Sequence, residues 1–209
     1  MPYFFVLCLL FLQSVALAND EWELAKQDKE RNIQVYTRPQ LDSPYHEFRA
    51  QTLVEQPLKT VWAVLVDINA WPQWLARIKQ VKILKKEPEK TWVYVVYKLP
   101  YPFVERDMVL YSHVQKLVNG QIVVQTQALE HYPVPKEIQA KRIRLTEFKS
   151  TWRLSPLSPT MTKVELWGSG NPESFVPAMI FNYNLADEPL QSLKQLRKMV
   201  LRPQYHRKK

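Results

Sequence analysis

Apolar and polar positions alternate along much of this chain, which predicts a protein built mainly of half-buried β-strands. The clearest pattern lies in residues 91–117, where two strands flank an elbow marked by Pro100 and Pro102. One side of the second strand holds an otherwise mostly apolar set that includes an arginine: Val104, Arg106, Met108, Leu110 and Val114. A guanidinium on the buried side of a strand needs a partner, water or a ligand. The pattern leaves open whether Arg106 meets one inside or reaches solvent at the strand end.

Further strands are predicted on both sides of this hairpin. Alternation or β-branched residues mark 33–36, 46–54, 81–83, 122–128 and 164–166, and Asn119-Gly120 predicts a tight hairpin turn. Between residues 143 and 154 the apolar set changes from one parity to the other. We interpret this change as a bulge near Thr146 or Glu147.

Helices are predicted at the ends of the chain and after the first strands. Residues 19–29 favour a short helix, and Pro57 opens an amphipathic helix at 58–67, followed by a short helical turn or loop at 68–74. From residue 174 onward apolar residues recur every three or four positions to Val200, which predicts one long helix. Pro189 falls inside it and predicts a kink.

The order of these elements predicts the fold class. Runs of antiparallel strands with helices kept separate are typical of an α+β protein. We therefore expect a single domain over 19–209, with a curved antiparallel sheet wrapped around the C-terminal helix. Such a sheet leaves room for an apolar cavity, although an apolar inner surface is more often plain core.

Residues 1–18 are uncharged and apolar and end in Ala16-Leu17-Ala18, which is typical of a signal peptide. We expect export, with a periplasmic location, and a mature chain beginning at Asn19. The lone cysteine, Cys8, lies within this stretch, so the mature chain would have no disulfide. The alternative is an uncleaved membrane anchor, because the basic start of a signal peptide is missing.

The chain is basic, with 29 lysines and arginines against 20 acids and a net charge of +9. The positive residues cluster at 82–90, at 141–144 and at 202–209. An ordinary solvated surface and attraction to anionic lipid headgroups both remain open as interpretations. No nucleic-acid partner is expected, since no recognition motif accompanies the charge.

The sequence offers no catalytic set. Its three glycines cannot build a phosphate-binding loop, and its four histidines lack metal-ligand spacing. No G-x-S-x-G elbow is present. No metal and no cofactor are therefore predicted.

The chain resembles the START domain, the steroidogenic-acute-regulatory-protein-related lipid-transfer family, over about residues 20–200. The resemblance rests on features in order: Trp22, 32–36, 61–67, Trp74, 102–107, Arg144, Trp152, Pro177, Asn182 and Pro189. It implies a helix-grip fold, with a lipid-sized tunnel covered by the C-terminal helix. It also implies binding or transfer of one lipid or sterol without catalysis. The family's glycine before the first Ile-x-Val strand is Asn32 here, which also tolerates positive φ.

We accordingly expect a monomeric, non-enzymatic protein that binds or transfers a lipid, a sterol or a similar hydrophobic ligand. The resemblance makes Arg106 the polar ligand contact, and the sequence patterns add the lining residues Met108, Leu110, Trp92, Tyr94, Val124, Trp152, Met179 and Tyr183. One alternative is a helix-grip enzyme, a cyclase or hydrolase, with Glu130 or His113 beside Arg106 in the cavity. Another is a protein-interaction module whose tunnel has collapsed.

Overall fold

The structure is a computed structural model that describes residues 21–134 and 142–206. Ten strands form one sheet: β1 (Glu23–Asp28), β2 (Ile33–Gln40), β3 (Ser43–Val54), β4 (Ile78–Lys86), β5 (Lys90–Tyr97), β6 (Arg106–Lys116), β7 (Ile122–Ala128), β8 (Ile143–Arg144), β9 (Phe148–Ser158) and β10 (Met161–Gly170). The strand order is β1-β2-β3-β10-β9-β7-β6-β5-β4, with β8 pairing with β6 in parallel. All other pairs are antiparallel.

Three α-helices accompany the sheet: α1 (Leu58–Val66), α2 (Ala178–Asn184) and α3 (Asp187–Met199). A 3-10 helix, Ile68–Gln73, follows α1, and another, Pro203–Tyr205, follows α3. The predicted α+β helix-grip fold, a curved antiparallel sheet with a C-terminal helix, is confirmed. None of the helices in the described ranges is long and apolar enough to cross a membrane.

The main core lies where α1 and α3 pack against β2, β3, β9 and β10. Val61 and Val64 of α1 and Leu193 and Leu196 of α3 are almost completely buried there. The ring of Trp74 meets the ring of Trp152 of β9 edge to face, with centroids 5.8 Å apart. Aromatic pairs in this geometry stabilise a core by ~0.5–1.5 kcal/mol beyond the area they bury.

Backbone conformation confirms the predicted Asn119-Gly120 turn and agrees with the expected tolerance of positive φ at Asn32. Gly120 has φ 80° and its N–H donates to the Leu117 carbonyl at 3.0 Å, which closes the β6–β7 hairpin. Asn32 has φ 51°, so asparagine here adopts the left-handed conformation that a glycine would favour.

Three predictions about elements were wrong. The described part of the first predicted helix holds strand β1, since Glu23–Asp28 pairs with β2 and presents mostly exposed side chains. The parity change after Leu145 is not a bulge within one strand. It is a break between β8, which pairs with β6, and β9, which pairs with β7 and β10.

The predicted long C-terminal helix is two helices, interrupted at Leu185 and Ala186. Pro189 therefore lies in the first turn of α3, where its missing N–H has no helical acceptor to lose. No kink within a continuous helix is present at this position.

Candidate ligand-binding cavity

An apolar cavity of about 280 Å³ lies between the sheet and the segments that cover its inner face. It extends from the β4–β5 turn, at Pro88 and Glu89, to the loop that joins β5 to β6, at Leu99, Pro100 and Phe103. The cover comes from the 3-10 helix after α1 and from α2 and α3. The predicted internal apolar cavity is therefore present.

Four of the predicted ligand contacts line this cavity: Met108 and Leu110 of β6, Val124 of β7 and Trp152 of β9. Their positions follow from alternation, because residues two apart in a strand point to the same face. The structure brings these four side chains together, and their role in ligand contact stays a prediction.

A row of hydroxyl side chains crosses the cavity floor. Cross-strand pairing aligns Thr91 of β5 with Ser112 of β6, Ser112 with Thr126 of β7, and Thr126 with Ser150 of β9. All four line the cavity, and Ser112 Oγ and Thr126 Oγ1 hydrogen-bond each other at 2.9 Å. The floor is therefore apolar with one polar band.

Arg106 is buried, with 2% of its surface exposed, and its guanidinium binds backbone carbonyls. Nε donates to Pro172 O at 3.0 Å, while the two terminal nitrogens donate to Val104 O at 2.6 Å and Glu173 O at 3.2 Å. Arg106 does not line the cavity. Its position is that of a clamp between the loop before β6 and the segment before α2, rather than that of a ligand contact.

Two predicted contacts on β5 lie on the opposite, outer face of the sheet. Trp92 packs on Tyr111, with ring centroids 5.1 Å apart, and the Tyr94 hydroxyl donates to Asp107 at 2.8 Å. The β5–β6 register pairs Val95 with Met108 and Tyr94 with Val109. Cross-strand partners share a face, so Val95 joins Met108 inside and Tyr94 points outward.

The two predicted contacts on the C-terminal helix also point away from the cavity. Met179 and Tyr183 of α2 are each 81% exposed, whereas Ile180, Phe181 and Asn184 line the cavity. The sequence analysis assumed a single helix, in which one apolar stripe continued from α2 into α3. The interruption at Leu185 and Ala186 turns a different face of α2 inward.

A polar cluster on the cavity wall was not predicted from the sequence. Arg77 precedes β4, Tyr97 ends β5 and Glu188 lies in the first turn of α3, and all three line the cavity. The Tyr97 hydroxyl donates to Glu188 Oε2, and Arg77 Nε lies 3.8 Å from the same oxygen. Strand parity could have placed Tyr97 inside, but nothing local in the sequence marks Arg77 or Glu188.

Burial raises the pKa of Glu188 to about 7, against the smaller lowering effects of Tyr97 and Arg77. Burial is also the main cause that holds the pKa of Tyr97 well above its ordinary value. The Glu188 side chain is 31% accessible and lines the cavity. Close to neutral pH this carboxyl is therefore divided between its charged and neutral forms.

The residues that the enzyme alternative requires do not reach the cavity. His113 lies on the outer face of β6 beside Gln125, and the side chain of Glu130 is largely exposed. Within residues 21–134 and 142–206, no group of three or more His, Cys, Asp or Glu side chains is placed to hold a metal ion.

Part of the basic charge is engaged in ion pairs. Arg144 Nε lies 2.5 Å from Asp107 Oδ1, and Arg142 Nε lies 3.3 Å from Glu105 Oε2. The lysines at 82–90 belong to β4 and β5, and β4 is an edge strand, where lysine discourages pairing with a second sheet. Lys141 and residues 207–209 lie outside the described residues.

Exposed apolar side chains surround one end of the cavity. Met179 and Tyr183 lie on the outer side of α2, Phe175 lies in the segment just before that helix, and Tyr101 belongs to the loop between β5 and β6. Arg106 ties these two segments together through its hydrogen bonds to Val104, Pro172 and Glu173. We call Tyr101, Phe175, Met179 and Tyr183 the apolar rim.

Similar proteins agree with this architecture. A sequence model of the START domain matches residues 7–208. An uncharacterized protein of Pseudomonas aeruginosa is 29% identical over 182 residues, which is 87% of each chain. The crystal structure of a STAR-related lipid transfer protein from Xanthomonas axonopodis is 28% identical and has a TM-score of 0.78, with 88% of this chain and 100% of that one covered.

Human StAR-related lipid transfer protein 5 has the same fold at lower identity. Its TM-score is 0.77 at 17% identity, with 90% of this chain and 89% of the human chain covered. The family match spans nearly the whole chain, and the strand order, helices and cavity described above are consistent with it. The chain belongs to the START domain family.

Proposed function

We propose that this protein binds a lipid, sterol or similar hydrophobic molecule in its cavity and carries it between membranes without chemically changing it. The observation that carries the proposal is the cavity itself, an apolar space enclosed between sheet and helices with a few polar points. The similarity to a STAR-related lipid transfer protein supports the same function.

The cavity volume indicates a small ligand. Ligand pockets commonly measure ~300–1,000 Å³, so a cavity of about 280 Å³ suits a compact or single-chain molecule better than a two-chain phospholipid. The apolar walls would take the hydrocarbon, while the hydroxyl row and the Arg77–Tyr97–Glu188 cluster offer polar contacts.

The apolar rim supports a second step, transient contact with a membrane. Its four side chains are between 81% and 97% exposed and lie beside the cavity end formed by α2 and the β5–β6 loop. Aromatic and methionine side chains gain free energy when they enter the headgroup region of a bilayer. Basic residues outside ion pairs would add attraction to anionic lipids, and the protein would act as a monomer.

Native mass spectrometry of protein purified without detergent tests the proposal directly. A hydrophobic molecule that stays bound in the gas phase and is recovered unchanged is expected. A transfer assay between donor and acceptor vesicles then measures delivery. Protein that is free of ligand and does not take up any lipid from vesicles would contradict the proposal.

We also propose that the protein is exported, on the sequence of residues 1–18, which lie outside the described residues. The intact mass of protein recovered from the periplasm should correspond to a chain that begins at Asn19. A mass that includes residues 1–18 would indicate an anchor instead.

An enzyme acting on a hydrophobic substrate is the second candidate, and Glu188 is the observation that favours it. A carboxyl with a pKa of about 7 in an apolar cavity suits general acid–base catalysis near neutral pH. The same mass-spectrometry experiment separates the two candidates. Recovery of a chemically altered ligand after incubation, lost in Glu188→Gln, would support the enzyme.

A further inference from the structure

The Arg77–Glu188 pair has polar atoms that the protein leaves unused. Among the described residues, the side chain of Arg77 makes one polar contact, the 3.8 Å approach of Nε to Glu188 Oε2. Glu188 Oε2 accepts the Tyr97 hydroxyl, and Oε1 has no hydrogen-bond partner in the same ranges. A guanidinium has five N–H donors, so this one can still bind a planar acceptor through two of them.

The hydroxyl row, unlike Arg77, needs no charged ligand. Ser112 and Thr126 satisfy each other at 2.9 Å, and hydroxyl groups carry no charge that needs compensation. Arg77 is cationic and lines an apolar cavity beside an acid that is only partly ionised near pH 7. The polar group that most needs a ligand is therefore the guanidinium, and the ligand that compensates it is an anion.

The backbone conformation of Arg77 supports a functional role for this residue. Its φ is 65°, a left-handed conformation that costs a non-glycine residue ~1–2 kcal/mol. Its carbonyl accepts the Lys98 N–H at 2.8 Å, which ties the residue to the end of β5 beside Tyr97. Backbone strain of this kind concentrates at ligand clamps and active sites.

We propose that Arg77 and Glu188 form the headgroup site of the cavity, which takes the carboxylate of a single-chain amphiphile together with a proton on Glu188. The inference rests on the proposed function, since it names the ligand class of the same cavity. Arg77 donates two hydrogen bonds to the ligand carboxylate. Protonated Glu188 donates its Oε1–H to the carboxylate and accepts the Tyr97 hydroxyl at Oε2.

The cavity accommodates the tail of such a ligand along β5. Thr91 and Tyr97 are six residues apart on an uninterrupted strand, so the hydroxyl row and the headgroup site lie ~20 Å apart. Val93 of β5 and its neighbours Leu110 and Met108 of β6 line the cavity between these two ends. An extended alkyl chain anchored at Arg77 therefore runs over apolar side chains for most of its length.

Protonation of Glu188 and binding of a ligand carboxylate favour each other. The titratable or charged groups that act on Glu188 are Tyr97 of β5 and Arg77, while its neighbour Asp187 pairs with Lys26 of β1. When Glu188 is ionised it neutralises Arg77 and repels an incoming carboxylate. When it is protonated it donates to the carboxylate, so anion binding strengthens as the pH falls through about 7.

Binding of dodecanoate and dodecan-1-ol, each below its aggregation concentration, tests this inference by isothermal titration calorimetry from pH 6 to pH 8. Dodecanoate should bind about tenfold more tightly at pH 6 than at pH 8, as one proton taken up with a pKa of about 7 requires. Dodecan-1-ol should bind with the same affinity at both pH values.

Variants assign the effect to residues. Glu188→Gln should remove the pH dependence and keep the tight dodecanoate binding at pH 8, while Asp187→Asn, on the same helical turn but facing Lys26, should behave like the unmodified protein. Arg77→Met should weaken dodecanoate binding by about ten- to a hundredfold, the worth of a charged hydrogen bond, and leave dodecan-1-ol within about twofold.

The outcomes separate this inference from the proposed function. Equal affinity for dodecanoate and dodecan-1-ol with no pH dependence would overturn the carboxylate site and leave hydrophobic binding intact. A pH dependence that persists in Glu188→Gln would overturn the role of that residue. Binding of neither probe to any variant would overturn both.

Discussion

Arg106 Nε donates a hydrogen bond to the carbonyl oxygen of Pro172 at 3.0 Å, across 66 residues of chain. The same guanidinium binds the carbonyl of Glu173, and Glu173 and Ser174 both have positive φ, at 54° and 57°. Two consecutive residues in this conformation are strained. Arg106 thus stabilises the strained segment that leads into α2, and through α2 it positions the cover of the cavity.

Replacing Arg106 should therefore affect stability more than ligand contact. Arg106→Met leaves three carbonyls without their donor and should lower the free energy of unfolding by about 2–4 kcal/mol. Arg49→Met is the control, because Arg49 is half-buried and its Nε lacks a partner within the described residues. Denaturant unfolding measures both. A stable Arg106→Met protein with strongly weakened ligand binding would return Arg106 to the role of ligand contact.

Filling the cavity should weaken ligand binding without unfolding the protein. Val124→Phe adds apolar volume inside, so ligand affinity should fall at least about tenfold, while stability changes by less than about 1 kcal/mol. Gln125→Phe, the next residue on β7, is exposed on the outer face and should leave affinity unchanged. Fluorescent lipid displacement reports both. Equal losses in the two variants would show that the cavity is not the binding site.

The apolar rim should control contact with membranes. Met179→Ser combined with Tyr183→Ser should weaken vesicle binding by about tenfold and leave ligand affinity in solution unchanged. Val118→Ser combined with Leu157→Ser removes exposed apolar side chains at the opposite end of the sheet and serves as the control. Vesicle sedimentation measures the difference. Similar losses in both pairs would indicate non-specific adsorption.

Glu188 should make stability depend on pH. The pKa of Glu188 is about 7 in the folded state, against the ordinary 4.5. Between pH 4.5 and pH 7 the folded state therefore holds a proton on Glu188 that the unfolded state has lost. Stability should fall by roughly 2–4 kcal/mol as the pH rises from about 4.5 to 7. Glu188→Gln should lack this fall and be the more stable protein at pH 8. Parallel pH profiles of the two proteins, measured by thermal unfolding, would contradict the assignment.

We expect α2, rather than the chain at Pro189, to be the movable part of the cavity cover. None of the residues of α2 is buried, whereas α3 buries six, among them Leu193 and Leu196. Amide hydrogen exchange should be faster in α2 than in α3 and should slow when ligand binds. Pro189→Ala should change stability by less than about 1 kcal/mol, because a first-turn proline interrupts no helical hydrogen bond. Uniform protection of both helices, unaffected by ligand, would exclude α2 as a movable cover.

Local patterns in the sequence were sufficient for the fold class and for much of the cavity floor. Strand alternation depends only on the two-residue period, so Met108, Leu110 and Val124 were placed on one inner face correctly. The Asn119-Gly120 turn fixed a hairpin for the same local reason. The family resemblance supplied the helix-grip arrangement, which the strand order confirms.

These local patterns could not predict the register between neighbouring strands. Trp92 and Tyr94 were assigned to the cavity, yet the pairing of Tyr94 with Val109 turns both outward. The elbow between β5 and β6 is too long to fix register by turn geometry. The side that a strand presents is then decided by packing of the whole sheet.

The polar chemistry of the cavity was decided by tertiary structure alone. Arg77, Tyr97 and Glu188 come from three separate parts of the chain, Tyr97 and Glu188 are 91 positions apart, and no periodicity links them. Arg106 was likewise predicted to contact a ligand. In the folded chain its guanidinium donates instead to the carbonyls of Val104, Pro172 and Glu173. A sequence shows which side chains are apolar along one element, because that depends on neighbours a few residues away. Which charges meet inside the cavity depends on how distant elements pack, and only the folded chain determines that.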